Sequence, residues 1–269
     1  MHNKLLSFYV DISKKYLIEY YNSLQKECAG YASKINNEFK RKDIHDFRVA
    51  VKKINAFKAF IKFIEPEFEI REKELEKIYK SAGGLRTLTL LKKDIKDLKL
   101  YDNQWKKYFR ENFKKEKEGY SRIYGEFEKV KKEKFHGQAD KISFMITEEN
   151  KLEESAGKYI NSLFSSINEI SNYTSQISFH DIRKLMKELG YNYSLLSEAF
   201  YYLTDEMFIS DINNLNKILG KWHDKVILKK FILKQKDYSG SDRIGAQIDI
   251  GIKKDEDIIL NLLNNINLH

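Results

Sequence analysis

Residues 179–189 read F-H-D-I-R-K-L-M-K-E-L, and residues 44–54 read I-H-D-F-R-V-A-V-K-K-I. Each stretch places His, Arg and Lys at i, i+3 and i+7: His180, Arg183 and Lys187 in one, His45, Arg48 and Lys52 in the other. The two copies stand 135 residues apart in a chain of 269. On a helical wheel with His45 at zero, Arg48 falls near −60° and Lys52 near −20°, while Phe47, Ala50, Val51 and Ile54 gather between about 140° and 240°. The second copy sorts in the same way, with Ile182, Leu185, Met186 and Leu189 opposite the cations and Tyr191 beside them. The spacing therefore predicts two amphipathic helices, each with a cationic stripe opposite its apolar one.

A second pair of segments keeps nearly the same offset. Residues 82–91, A-G-G-L-R-T-L-T-L-L, align with 219–228, L-G-K-W-H-D-K-V-I-L. Gly83 pairs with Gly220, Leu85 with Trp222 and Arg86 with His223. The glycines are expected to let helices approach closely. Arg86 and His223 read equally as packing residues and as members of a site. A period of about 135 residues, each holding about four helices, implies two helical bundles with pseudo-twofold symmetry.

The remaining sequence supports an all-α fold. One proline, Pro66, and twelve glycines are too few for the turns of an all-β chain of this length. Helices are expected over 5–40 (apolar positions Leu5, Phe8, Ile12, Tyr16), 43–64, 69–99 and 103–134. Pro66 stops the second, and Gly83-Gly84 mark a kink or tight contact in the third. The stretch F-H-G-Q-A-D, 135–140, is the expected junction, giving halves 1–137 and 138–269. Further helices are expected over 147–172, 176–203, 205–236 and 254–268, with a loop over 238–252. Asp43 and Ser178 stand where N-caps are useful.

Charge is uneven. Through residue 137 there are 33 basic and 21 acidic residues, a net of +12; from 138 onward there are 16 and 19, a net of −3. Such a field favours anionic partners, although a lysine-rich soluble surface gives the same sum. Arg offers a forked donor set, Lys a mobile point charge and neutral His one further N–H, so the paired stripes read as anion-binding faces. The same stripes also read as solvated basic helix faces. The lone Cys28 and the absence of a long apolar segment make the cytoplasm the default location.

The segments H-D-F-R-V-A-V-K-K at 45–53, G-G-L-R-T-L-T-L-L at 83–91, H-D-I-R-K-L-M-K-E-L-G-Y at 180–191 and L-G-K-W-H-D at 219–224 together resemble the CHAD domain, the conserved histidine α-helical domain. The resemblance implies two four-helix bundles related by a pseudo-twofold around a basic central groove or cavity. It implies binding of inorganic polyphosphate, association with polyphosphate granules, and no catalysis; no cofactor, metal or membrane partner is expected. Carried onto this sequence, the binding set is His45, Arg48, Lys52, Lys53 and Arg86 in the first half, and His180, Arg183 and Lys187 in the second, with His223 as the counterpart of Arg86. Four positions depart from the pattern: Thr87 replaces an aspartate, and Glu188, Asn55 and Gly190 replace basic residues. The anion is therefore expected to lean on the first half.

Two other classes remain open. His45-Asp46, His180-Asp181 and His223-Asp224 are the dipeptide used by metal-dependent HD phosphohydrolases, which also need an upstream histidine; here only His2 precedes His45. General RNA or polyanion binding is favoured by the basic first half and by 17 Tyr and 17 Phe, but no RRM, KH or helix-turn-helix signature accompanies them. A helical scaffold for a protein partner is the plainest alternative.

Overall fold

The computed structural model describes residues 2–67, 72–145, 150–173, 178–200, 206–235 and 241–265, with side chains over 14–67, 72–130, 142, 152–171, 178–200, 206–235 and 241–264. Among the described residues eight helices follow one another: α1 (His2–Glu38), α2 (Arg41–Ile64), α3 (Lys73–Asp97), α4 (Asn103–Met145), α5 (Asn150–Tyr173), α6 (Phe179–Ala199), α7 (Glu206–Lys234) and α8 (Ser241–Asn265). No strand occurs among the described residues. The chain divides into two compact units, residues 1–156 and 157–269.

In the first unit α1 packs on α2 and α4, and α3 packs on the same two helices. This closed ring follows from the apolar spacing. Leu17, Tyr21, Leu24, Cys28, Ala32 and Ile35 line one stripe of α1, and Ile44, Phe47, Val51, Ile54 and Ile61 line one of α2; all are buried. The α2 stripe is the one the wheel picks out, and α2 ends at Ile64 just before Pro66, as proline requires. Tyr120 of α4 is fully buried and donates its hydroxyl to the Ala32 carbonyl at 3.1 Å, fixing α4 on α1. The expected core positions Leu5, Phe8 and Ile12 lie outside the described side chains.

A buried polar cluster interrupts this core. Glu72, just ahead of α3, is 6% exposed and forms an ion pair with Lys58 of α2. Tyr21 of α1 donates its hydroxyl to the other Glu72 oxygen at 3.3 Å. Burial, and then the Glu72 carboxylate, push the Tyr21 phenol above its ordinary range.

In the second unit α6 packs on α7 and α7 on α8. α5 joins α6 through Tyr159 and meets α7 through the Phe164–Phe208 ring pair, with centroids 5.2 Å apart. α7 and α8 are sewn together by polar contacts: Trp222 Nε1 to Glu256 at 3.0 Å, Lys225 to Asp255 at 2.8 Å and Lys229 to Asp249 at 2.6 Å.

Several sequence expectations need correction. α4 runs through 135–140 to Met145 instead of breaking there. A single glycine costs a helix only about 1 kcal/mol, and no proline enforces a stop. The 238–252 loop is also absent from Ser241 onward, where α8 begins. The glycines there serve contacts: a Cβ on Gly245 would sit 3.0 Å from Leu233, and the Gly251 carbonyl accepts Lys225 Nζ at 3.0 Å. Ser178 caps α6 as expected, accepting from the Asp181 N–H at 3.3 Å. Asp43 does not cap α2. The cap is Lys40, without a side-chain bond, and Asp43 is a first-turn acid that favours the helix dipole. The helix margins expected at 69–71, 147–149, 176–177, 201–203, 205, 236 and 266–268, and the loop residues 238–240, lie outside the described residues or begin beyond the observed helix ends.

Candidate functional site

In the first unit α2 supplies His45, Arg48, Lys52 and Lys53, and α3 supplies Arg86. His45 is exposed at the helix surface. Its imidazole is held below the ordinary value of 6.5 by partial burial, then by the Arg86 charge and more weakly by Lys52 and Arg41, against the pull of Asp46. His45, Lys52 and Arg86 therefore share one field. Arg41 joins them, a residue the sequence reading missed although it lies one turn before His45 on the same stripe. Lys53 is half-buried on α2, and no described contact joins it to the cluster.

Arg48 behaves differently. Its guanidinium lies 4.3 Å from the Tyr79 ring centroid and donates to the Tyr79 carbonyl at 3.0 Å and to the Tyr79 hydroxyl at 3.3 Å. It occupies the space that a side chain at position 83 would need: a Cβ on Gly83 would stand 2.8 Å from Nη1. Arg48 thus ties α2 to α3, and Gly83 is the close approach predicted from sequence. The matching Gly220 is not, because nothing lies within 4 Å of a Cβ built there. Opposite outcomes are expected from one substitution. Gly83→Ala should lower stability by about 1 kcal/mol, because the lost stacking and hydrogen bonds outweigh the helix-propensity gain. Gly220→Ala should raise it by about 1 kcal/mol. Thermal melting of the two variants checks both signs.

In the second unit all four expected residues converge. The exposed His180 ring meets Trp222 edge-on, with centroids 4.9 Å apart, and His223 with centroids 5.4 Å apart. Partial burial, then His223, Lys230, Arg183 and Lys184, hold the His180 imidazole below 6.5. Burial, then Arg183, hold the Lys187 ammonium below its usual value. Arg183 thus acts on both His180 and Lys187. Lys230 went unnoticed in the sequence, yet it lies seven residues past His223 on the same stripe. The Lys184 charge is offset by Asp181 at 2.7 Å.

The repeat is therefore electrostatic as well as sequential. In each unit the residue three positions after the paired glycine, Arg86 or His223, is the strongest charged influence on the histidine of the preceding helix. Two departures from the motif acquire physical reasons. Glu188 accepts the Tyr159 hydroxyl at 2.6 Å, and Asn192 donates to that hydroxyl at 3.0 Å. The carboxylate is thus engaged by α5. Gly190 makes room for α7: a Cβ there would lie 3.0 Å from Asn216 Nδ2, which donates to the Met186 carbonyl at 2.8 Å.

Among the described residues, no group of three or more His, Cys, Asp or Glu side chains is placed to hold a metal ion. Asp181 is used by Ser178 and Lys184, and Asp224 stands 3.9 Å from His223. The His2 side chain lies outside the described residues. No helix among the described residues is long and apolar enough to cross a membrane.

Comparison with known proteins identifies the family and the fold. A family model for the CHAD domain matches residues 15–233, and the chain belongs to that family. The crystal structure of the CHAD domain from the plant Ricinus communis superposes with a TM-score of 0.65 over 94% of this chain and 93% of that one, at 12% sequence identity. At that identity the likeness bears on the fold alone. No curated protein matches the sequence.

Proposed function

We propose that this chain is a non-catalytic binder of inorganic polyphosphate in the cytoplasm, associating with polyphosphate granules, and that each unit binds through its own His-Arg-Lys face. The supporting observation is the doubled cluster of cations: Arg86, Lys52 and Arg41 act on His45 in the first unit, and Lys230, Arg183 and Lys184 act on His180 in the second. Clustered positive charge of this kind favours a ligand that brings several negative charges at once. Family membership supports the same reading.

The test is binding of long-chain polyphosphate to wild type and to the Lys52→Ala/Arg86→Ala/Arg183→Ala variant, with RNA as competitor. Tight binding that the variant loses and RNA does not displace is the expected result. RNA competing on equal terms would identify a general polyanion binder and overturn the reading.

A pH dependence follows. His45 and His180 are neutral at pH 7 because their folded values lie below 6.5. A bound polyanion favours imidazolium, so binding takes up protons. Affinity should be flat between pH 8 and 7 and should rise as pH falls below about 6.5. Without ligand the sign reverses for folding, because the unfolded chain binds these protons more readily and the two histidines cost stability on acidification. Titrations across pH 5.5–8 check the first claim, and melting curves over the same range check the second.

A further inference from the structure

α3 has a second working side. Tyr79, Gly83 and Arg86 serve α2, whereas Lys77, Lys80, Ser81 and Gly84 lie about 120–180° around the helix from Arg86. On that side α3 and α4 border an open cleft of about 630 Å³, a size common to small-ligand sites. Lys77 and Lys80 stand on the α3 wall, Lys115 and Arg122 on the α4 wall, and Ser81 adds a hydroxyl. Lys80, Lys115 and Arg122 make no hydrogen bond or ion pair with any described residue, and Lys77 only reaches Glu126 at 4.0 Å.

Two acids also line the cleft, Glu116 and Glu118. The Glu116 carboxylate lies over Gly84, in the space a Cβ would take, and pairs with no cation among the described residues. Positive charge still exceeds negative, and it comes from both walls. Lys115 and Arg122 are seven residues apart, so they stand about 10 Å apart along α4. That spread fits an extended ligand with several adjoining charges better than a single monovalent ion.

The geometry points to the α3–α4 cleft as a separate binding site for a short condensed-phosphate group, either inorganic tripolyphosphate or the triphosphate of a nucleotide. None of its residues belongs to the two His-Arg-Lys faces, so the site stands or falls independently of the reading above.

Calorimetric titration of the full chain with tripolyphosphate and, separately, with ATP tests it. Three proteins are compared: wild type, the cleft variant Lys80→Ala/Lys115→Ala/Arg122→Ala, and the face variant Lys52→Ala/Arg86→Ala/Arg183→Ala. The cleft substitutions are exposed and helix-favouring, and circular dichroism checks that the helices persist. The face variant should retain tripolyphosphate binding at the cleft, and the cleft variant should lose that component of the wild-type titration, its affinity there falling about tenfold or more. Equal ATP affinity would assign the site to nucleotides as well, and tripolyphosphate alone would assign it to inorganic chains. An unchanged affinity in the cleft variant, or no tripolyphosphate binding by wild type, overturns the proposal. Loss of binding in the face variant alone also overturns it, while leaving the polyphosphate reading intact.

Discussion

Raising salt from 50 to 200 mM is expected to weaken polyphosphate binding by about three decades, as for a protein that neutralises roughly six backbone phosphates of a nucleic acid. The cations at stake are Arg41, Lys52 and Arg86 in the first unit and Arg183, Lys187 and Lys230 in the second. Removing Lys52, Arg86 and Arg183 takes away half of them. The variant should therefore lose affinity most strongly at low salt, and its logarithmic salt slope should fall to about half that of wild type. A mere loss of folding would not produce a shallower but still linear slope, so filter-binding titrations at four or five salt concentrations separate the two outcomes. Arg48→Ala belongs in a separate experiment. Its stack on Tyr79 and its two hydrogen bonds make it a tie between α2 and α3, so its removal mixes packing with charge.

Glu72→Ala is expected to be the most damaging single substitution outside the apolar core. The carboxylate is 6% exposed, and its partner Lys58 has a side chain only 18% exposed. Deleting one member of such a pair leaves the other charged and desolvated, at a cost of about 3–5 kcal/mol. In a unit of this size the melting temperature should fall by about 10 °C or more. Tyr21 would also lose the acceptor for its buried hydroxyl. The double variant Lys58→Met/Glu72→Leu should recover most of the loss, since replacing a whole buried pair by apolar groups is often near neutral. If the single variant melted with wild type, the pair would be stabilising nothing.

How far the sequence could be read depended on whether a residue's role was local. The α2 and α6 stripes were legible because a period of 3.6 residues alone decides which side is apolar. The Pro66 stop and the Ser178 cap were legible because each acts within one turn. What failed was reading glycine without its neighbour. Gly83 and Gly220 look equivalent, yet only Gly83 has Arg48 above it. Gly245 and Gly251 look like helix breakers, yet they make room for Leu233 and receive Lys225 within α8. The wheel placed Arg48 on the cationic stripe correctly in azimuth, but it carried no record of Tyr79, which comes from another helix. Glu188 looked like a lost cation until Tyr159 of α5 supplied its partner.

Cys28 is the chain's single cysteine and is fully buried in α1. Burial first, and then Glu72 and Glu27, push its thiol far above the usual range. Since the thiolate is the species that reacts, alkylating reagents should meet an inert group in the folded protein. The rate of labelling then becomes a clock for opening of the first unit. The second unit has no thiol to confuse it, so local opening of one half can be timed in the intact chain without adding a probe.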